Sequence, residues 1–169
     1  STFDLAMVAE SVIERCRITG NVAGHTLNGR GGGISVRGTL SSPEIRLCRI
    51  DSDIGSTAWF GWGGGLFFDI DTAPNVHDCV IRGNYASTAR MGNGGGVASQ
   101  STLYPAAVRD CQITGNIAAT LSSGVGGNGG GVQISAGAIV IERCTITGNT
   151  AAESGGAQGT GGGIYVSGG

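Results

Sequence analysis

The chain has 169 residues, of which 34 are glycine, and its formal net charge is −2. All ten basic residues are arginine, and they are scattered along the chain, so there is no basic patch typical of nucleic-acid binding. No apolar run reaches the roughly 20 residues of a membrane-spanning helix, and the chain does not start with a signal-peptide pattern. We therefore expect one domain, no membrane span in this segment and no nucleic-acid partner.

One motif recurs five times along the chain. It combines a cysteine strand with a Gly-Gly-Gly triplet, and the cysteines are Cys16, Cys48, Cys79, Cys111 and Cys144. Successive cysteines lie 31 to 33 residues apart, and a fixed period with strand-like residues predicts a solenoid of stacked coils. The prediction is a single β-helix domain over residues 1–169, with a partial first coil at 1–15 and a partial last coil at 161–169.

Within each repeat, the elements follow in a fixed order. Cysteine and an isoleucine two positions later alternate as in a half-buried strand, as at Cys48 and Ile50. A polar pair before each cysteine fits a solvent-facing corner, with Leu47 as the exception. A second alternating strand follows each glycine triplet, with Leu66 and Phe68 as inward residues in the second repeat. We expect an all-β parallel β-helix with three short strands per coil and about five coils of 31–33 residues.

The periodic cysteines predict an inner column of free thiols. Stacked strands lie about 4.8 Å apart. Side chains that point in parallel therefore keep their Cβ atoms farther apart than the roughly 3.8 Å that a disulfide prefers. We expect these cysteines to be buried and to act as small apolar residues.

A second column is predicted from Gly-Asn pairs that follow the cysteine strands. The asparagines lie five positions after a cysteine, and they are Asn21, Asn84, Asn116 and Asn149. Stacked amides can form a hydrogen-bonded ladder, which we expect on the outer side of the coils. A polar binding row is the functional alternative. Ser52-Asp53 replaces Gly-Asn in the second coil, and because a carboxylate cannot donate, we expect a break there.

These residues resemble a known family. The string Cys-x-Ile-Thr-Gly-Asn-x-Ala followed by Gly-Gly-Gly-Ile is similar to the right-handed parallel β-helix repeats of bacterial surface proteins, such as polymorphic outer-membrane protein repeats, within the pectin-lyase-like fold. The resemblance covers roughly residues 11 to 168. It implies a right-handed coil, which parallel crossovers also favour. Relatives in this group include adhesive passengers, surface proteins of unknown role and polysaccharide-degrading enzymes.

The sequence contains one weak cluster of candidate catalytic or metal-binding residues. Asp51, Asp53, Asp69 and Asp71 are the nearest approach to grouped carboxylates, and the first two are expected to point to solvent. The repeat places Arg82 beside Asp51, so an exposed ion pair explains that residue more simply. His25 and His77 have no partner that the pattern places beside them. We expect no catalytic residue, no cofactor and no bound metal.

The loop before the second glycine triplet is the one candidate contact site. Both tryptophans of the chain and a phenylalanine lie there, at Trp59, Phe60 and Trp62. Clustered aromatic residues offer a large surface for sugar stacking or a protein contact. The alternative is that the rings fold down onto the wall of the solenoid.

Neither end of the repeat array shows an amphipathic cap, which solenoids generally need. Either the array continues in a longer protein, or copies stack end to end and cover one another. The leading hypothesis is a non-enzymatic structural or adhesive β-helix, extracellular or at a cell surface, that self-associates into filaments. The alternative is a protein that binds or cleaves polysaccharides, with surface glycans as partners.

Overall fold

The structure is a computed structural model that describes residues 11–102, 104–120, 126–153 and 158–168. Regular structure in these residues is all β, without a helix. The strands pair in parallel with strands of neighbouring coils and form a β-solenoid of about five turns. The predicted parallel solenoid is therefore confirmed. Residues 1–10 of the predicted partial first coil lie outside the described residues.

Five sheets run along the solenoid, one for each segment of the coil. The sheet before the cysteines consists of β1 (Val12–Glu14), β6 (Glu44–Arg46), β11 (Asn75–His77), β16 (Ala106–Arg109) and β20 (Ile139–Glu142). The sheet after the cysteines consists of β2 (Arg17–Thr19), β7 (Arg49–Asp51), β12 (Val80–Arg82), β17 (Gln112–Thr114) and β21 (Thr145–Thr147).

The other three sheets complete each turn. The sheet after the asparagine position consists of β3 (Val22–Gly24), β8 (Ile54–Ser56), β13 (Tyr85–Ser87), β18 (Ile117–Ala119) and β22 (Thr150–Ala152). A short sheet consists of β4 (Gly29–Arg30), β9 (Gly61–Trp62) and β14 (Gly92–Asn93). The sheet after the glycine triplets consists of β5 (Ile34–Val36), β10 (Leu66–Phe68), β15 (Val97–Ser99), β19 (Val132–Ile134) and β23 (Ile164–Val166). Coils 1 to 5 begin at β1, β6, β11, β16 and β20.

Each coil contains more strands than the three that the sequence predicted. The additional segments are the strands after the asparagine position and, in coils 1 to 3, the short strands that precede the glycine triplet. Backbone bends with positive φ divide the coil into these short pieces. One bend lies immediately before the cysteine, as at Leu47 (φ 54°), and another before the asparagine position, as at Gly83 (φ 60°). The extra strands escaped prediction because their small residues do not alternate in hydrophobicity.

Matching residues of successive coils lie directly over one another. Ile81, for example, pairs with Ile50 of the preceding coil and with Ile113 of the following coil. These aliphatic columns and the cysteine column form the core, where Ile50, Ile81 and Ile113 are 0% exposed. The predicted inward residues Leu66 and Phe68 belong to the same core.

The glycine triplets make the tightest part of the wall. Gly63 has a φ of 62°, which side chains disfavour. At Gly64, a Cβ atom would collide with the carbonyl oxygen of Gly95 in the next coil. The triplets are therefore explained by backbone geometry and by the close approach of neighbouring coils.

Candidate functional site

The five cysteines are free thiols. The thiol of Cys48 donates to the carbonyl oxygens of Arg46 (3.2 Å) and Ile13 (3.4 Å). Burial raises the pKa of Cys48, and contact with the neighbouring Cys79 thiol together with burial raises the pKa of Cys111. Cys16 differs from the prediction because it is exposed, at one end of the column. The three central thiols are buried structural groups, since a reactive cysteine needs an accessible thiolate.

The asparagines form a continuous ladder through coils 3 to 5. The Asn116 side-chain oxygen accepts bonds from the backbone nitrogen and the Nδ2 of Asn84, both 3.0 Å long. The Asn116 Nδ2 donates in turn to the oxygens of Ile81 and Asn149, each at 3.0 Å. Asn84 and Asn116 are 0% exposed, so the predicted outer position of this column is wrong. The amides lie inside, where they also satisfy backbone carbonyls of the bends.

Asp53 takes the asparagine position in coil 2 and interrupts the ladder. Its Oδ1 accepts from the backbone nitrogen and Nδ2 of Asn21, both at 2.8 Å, as an amide oxygen would. Its Oδ2 stands where an amide would donate, and it is buried without a hydrogen-bond partner. Burial raises the pKa of Asp53, with the bonds from Asn21 acting against the rise. The prediction that Asp53 points to solvent is wrong, because the positive φ of Ser52 (61°) turns the chain inward.

The four aspartates do not form one site. Asp51 is only 5% exposed, contrary to prediction, and its Oδ2 accepts a bond of 2.8 Å from Arg49. Arg82 lies over Asp51 in the predicted register, but at 3.8 Å. Asp69 pairs instead with Arg37 at 2.8 Å, and Asp71 accepts from Thr102 at 3.0 Å. In the described part of the chain, no three His, Cys, Asp or Glu residues are grouped as a metal site would require.

His77 has carboxylate partners that the sequence analysis missed. Its Nδ1 lies 2.8 Å from Asp78 and its Nε2 lies 3.0 Å from Glu44. A neutral imidazole has one N–H group, so two carboxylate partners favour the doubly protonated ring. The contacts with Asp78 and Glu44 raise the pKa of His77 accordingly. The contact with Glu44 could have been predicted from the repeat, because Glu44 and His77 lie on strands that pair one coil apart.

A shallow depression of about 540 Å³ runs over the bends before the asparagine column. It is lined by Arg82 and by backbone of Gly83 and Gly115, among others. The nitrogens of these glycines already donate to the oxygens of Thr114 and Thr147, both at 3.1 Å. The backbone donors of these two glycines are therefore already used within the fold.

The predicted aromatic loop is the core of a larger group, which we call the aromatic patch: Trp59, Phe60, Trp62, Arg30 and Arg90. Phe60 lies between the two indoles, with its ring centroid 6.0 Å from Trp59 and 6.2 Å from Trp62, and edge-to-face geometry in both pairs. The guanidinium carbon of Arg90 lies 4.0 Å from the centroid of Trp59, and that of Arg30 lies 5.4 Å from Trp62. Trp59 remains 41% exposed, while Phe60 and Trp62 are half-buried.

Two serines fix the loops that carry the patch. The Ser56 hydroxyl accepts a bond of 3.0 Å from the Trp59 backbone nitrogen and donates to the Leu27 oxygen at 2.9 Å. One coil later, Ser87 accepts from the Arg90 nitrogen at 3.0 Å and donates to the Trp59 oxygen at 2.6 Å. The same hydroxyl thus ties the loop of coil 3 to the loop of coil 2.

The arginines of the patch were not predicted from the sequence. Trp62 pairs in register with Arg30 one coil earlier. Thr57-Ala58-Trp59 of coil 2 corresponds to Thr88-Ala89-Arg90 of coil 3, which places Trp59 and Arg90 at matching loop positions. An alignment of the repeats through their loops would have brought these side chains together.

Comparisons of the chain with protein-family models, with curated proteins and with solved structures give no match. Among the described residues, there is no helix long and apolar enough to cross a membrane.

Proposed function

We propose that this protein is a structural or adhesive rod, extracellular or at a cell surface, whose copies associate end to end into filaments. The similarity of its repeats to right-handed β-helix repeats of bacterial surface proteins, within the pectin-lyase-like fold, supports the location. The match between the residues of coil 5 and those of coil 1 carries the proposal, and coil 5 is the outermost described coil on its side. Ile164 and Val166 in β23 are 42% and 58% exposed there, although the matching residues of inner coils are buried.

A second copy is the occupant that matches this edge. Coil 5 presents Cys144, Ile146 and Asn149, and coil 1 presents the same residue types at the corresponding positions, Cys16, Ile18 and Asn21. Stacking coil 1 of one copy on coil 5 of another would continue the apolar and asparagine columns in the register seen within the chain. This head-to-tail contact is heterologous, and with little rotation between copies it produces a fibre.

Electrostatics oppose this contact in a testable way. The same register would place Glu142 against Glu14 and Arg143 against Arg15. Like charges repel across an exposed interface, and salt screens them over about 8 Å at physiological ionic strength. End-to-end association should therefore increase with salt concentration, as expected for an interface held by apolar contacts.

Electron microscopy and light scattering across protein concentration test the filament. Reducing agent is kept present, because Cys16 is exposed and disulfide-linked aggregates must be avoided. Val166→Asp should abolish assembly, since it places a charge in the proposed interface. Ile70→Asp is the matched control, because Ile70 is 54% exposed on the side of the solenoid. Monomers at every concentration and salt, or equal loss in both variants, would refute end-to-end association.

The second candidate function is polysaccharide binding by the aromatic patch, favoured by the 41% exposure of the Trp59 ring. A glycan array with the wild-type protein, Trp59→Ala and Trp62→Ala tests it. Binding that neither substitution reduces would count against the patch as the binding site.

A further inference from the structure

We propose that the aromatic patch binds an acidic polysaccharide, with sugar rings against Trp59 and anionic groups on Arg30 and Arg90. This inference rests on the second candidate function, polysaccharide binding, and adds the chemical class of the ligand. The end-to-end assembly uses other surfaces and is independent of it.

The two arginines of the aromatic patch differ in their contacts from most other arginines of the chain. Seven other arginines lie within 4 Å of a carboxylate: Arg15, Arg37, Arg46, Arg49, Arg82, Arg109 and Arg143. Within the described ranges, Arg17, Arg30 and Arg90 have no such partner, and of these three Arg30 and Arg90 lie over an indole ring. A guanidinium stacked on a ring face keeps its N–H groups at the edge of the plane, where they can bind a carboxylate or a sulfate.

The spacing of the two arginines along the solenoid restricts the ligand. Arg30 and Arg90 belong to coils 1 and 3, which are about 10 Å apart along the axis because neighbouring strands lie about 4.8 Å apart. Coil 2, with the two tryptophans, lies between them along the axis, and Arg30 is beside Trp62 while Arg90 is beside Trp59. A ligand must therefore offer two anionic groups on either side of a flat, weakly polar face. A sugar chain lying along the solenoid, with an anionic group on alternate rings, has this arrangement.

A polar cleft of about 360 Å³ adjoins the patch, and Arg30 lines it together with Asn28 and Arg37. The Asn28 side-chain oxygen accepts a bond of 3.2 Å from the Phe60 nitrogen. This bond orients the amide and leaves its NH₂ group as a donor at the exposed side. Sugar hydroxyls next to the stacked ring would find hydrogen-bond partners in this cleft.

Hydrogen bonds hold the loops of the patch in place before any ligand binds. Ser56 and Ser87 hold the loops of Trp59 and Arg90 through bonds of 3.0 Å to the backbone nitrogens of these two residues. A preformed site loses little conformational freedom on binding, which favours affinity.

The net charge of the protein is −2, so overall charge does not attract an anion. The two arginines must therefore account for any preference for acidic ligands.

The test is a titration with three polysaccharides of matched length: one sulfated, one carboxylated and one neutral. Tryptophan fluorescence reports on the patch directly, because both tryptophans of the chain belong to it. We expect binding of at least one acidic polymer and none of the neutral one. The sulfated and carboxylated arms identify which anion the arginines prefer.

Substitutions separate the patch from general charge effects. Arg30→Gln and Arg90→Gln should each weaken binding about tenfold, as expected for loss of a charge-assisted hydrogen bond. Trp59→Ala should weaken it at least as much. Arg17→Gln is the control, because Arg17 is exposed on β2 in a different sheet and its loss changes the net charge equally. Tyr104→Ala removes an exposed aromatic residue elsewhere and should have no effect.

The possible failures are distinguishable. Equal binding of the neutral polymer, reduced by Trp59→Ala alone, would overturn the acidic preference and leave polysaccharide binding intact. No binding of any polymer would overturn both the acidic preference and polysaccharide binding by the patch. Equal weakening by Arg17→Gln, or equal binding of polyphosphate, would mean general charge attraction and would overturn the proposed site. A circular dichroism spectrum matching the wild-type spectrum establishes that each variant is folded.

Discussion

Coils 2 and 3 have the same backbone path but differ at the positions that the repeat otherwise keeps constant. Coil 3 has Gly83 and Asn84 at the bend, whereas coil 2 has Ser52 and Asp53. Both bends have a φ near 60°, and the flanking strands pair in unbroken register. The aliphatic columns and backbone bonds therefore set the register, while the ladder side chains adjust to it.

The adjustment in coil 2 leaves an energetic defect. Asn84 donates with its Nδ2 to the Ile50 oxygen at 3.1 Å and to Asn116 at 3.0 Å. The equivalent atom in coil 2 is Asp53 Oδ2, which is buried and has no partner. A buried polar atom without a partner costs about 1–3 kcal/mol, and more when it is charged. Coil 2 is therefore less stable at this position than coil 3.

Introducing the same defect into the regular part of the ladder should have the largest effect. Asn116→Asp would set a carboxylate oxygen against the oxygens of Ile81 and Asn149, which now accept bonds from Nδ2. We expect a loss of about 3 kcal/mol or more in the free energy of unfolding at pH 7. Denaturant unfolding measures it. Gln112→Glu adds the same charge at an exposed position of coil 4 and should change stability by less than about 0.5 kcal/mol. Equal effects of the two substitutions would contradict the ladder as a stabilising element.

Repairing the defect is the converse experiment. Asp53→Asn restores the missing donor, and we expect a gain of about 1–3 kcal/mol at pH 7. Burial raises the pKa of Asp53, so its contribution to stability is present at acid pH and is lost as pH rises through the raised value. The gain from Asp53→Asn should therefore be smallest near pH 4 and grow toward neutrality. Glu153→Gln removes the same charge from an exposed residue and is the control. A gain that does not depend on pH would mean that ionisation of Asp53 is not the cause.

Relieving the backbone strain at the Ser52 bend should have a smaller effect on stability. Ser52 has a φ of 61° at a position where the other coils have glycine. A residue with a side chain in this left-handed region is strained by about 1–2 kcal/mol. Replacing it with glycine recovers only part of this energy, because glycine loses more conformational freedom on folding. Ser52→Gly should stabilise the protein by up to about 1 kcal/mol, measured by thermal unfolding. Ser35→Gly in β5 should instead destabilise it by about 0.5–1 kcal/mol. Destabilisation by Ser52→Gly would show that its hydroxyl makes a contact worth more than the strain.

The repeat period was enough to predict the stacked coils, because cysteine, isoleucine and glycine return at the interval that the register requires. The site was harder to predict, and Asp53 shows why. Alternation places it outside, but the left-handed bend at Ser52 turns it inward, and no periodic rule applies across such a bend. Arg30 and Arg90 were missed because they lie at loop positions where the side chain changes from coil to coil, although the loop backbones stay in register.

The smallest expected effect concerns the link between coils 2 and 3 at His77. Asp78 occupies the corner position where coil 2 has Leu47 and provides one partner of His77, and Glu44 of coil 2 provides the other. Arg46 and Arg109 lie beside His77 in the strand register, and their positive charges disfavour protonation of the imidazole. The raised pKa of His77 means that its contribution to stability is present below the ordinary histidine pKa of about 6.5 and is lost as pH rises through the raised value.

Nuclear magnetic resonance titration of the imidazole tests this link. The pKa of His77 should lie above about 6.5. Asp78→Asn and Glu44→Gln should each lower it, with the larger change for Asp78→Asn, because Asp78 makes the shorter contact (2.8 Å against 3.0 Å). Asp110→Asn is the control, since Asp110 occupies the same corner one coil later and pairs with Arg143 at 2.7 Å. If Asp110→Asn lowered the pKa as much as Asp78→Asn, then the general field of the surface would set the protonation of His77, and the two direct contacts would not link the coils.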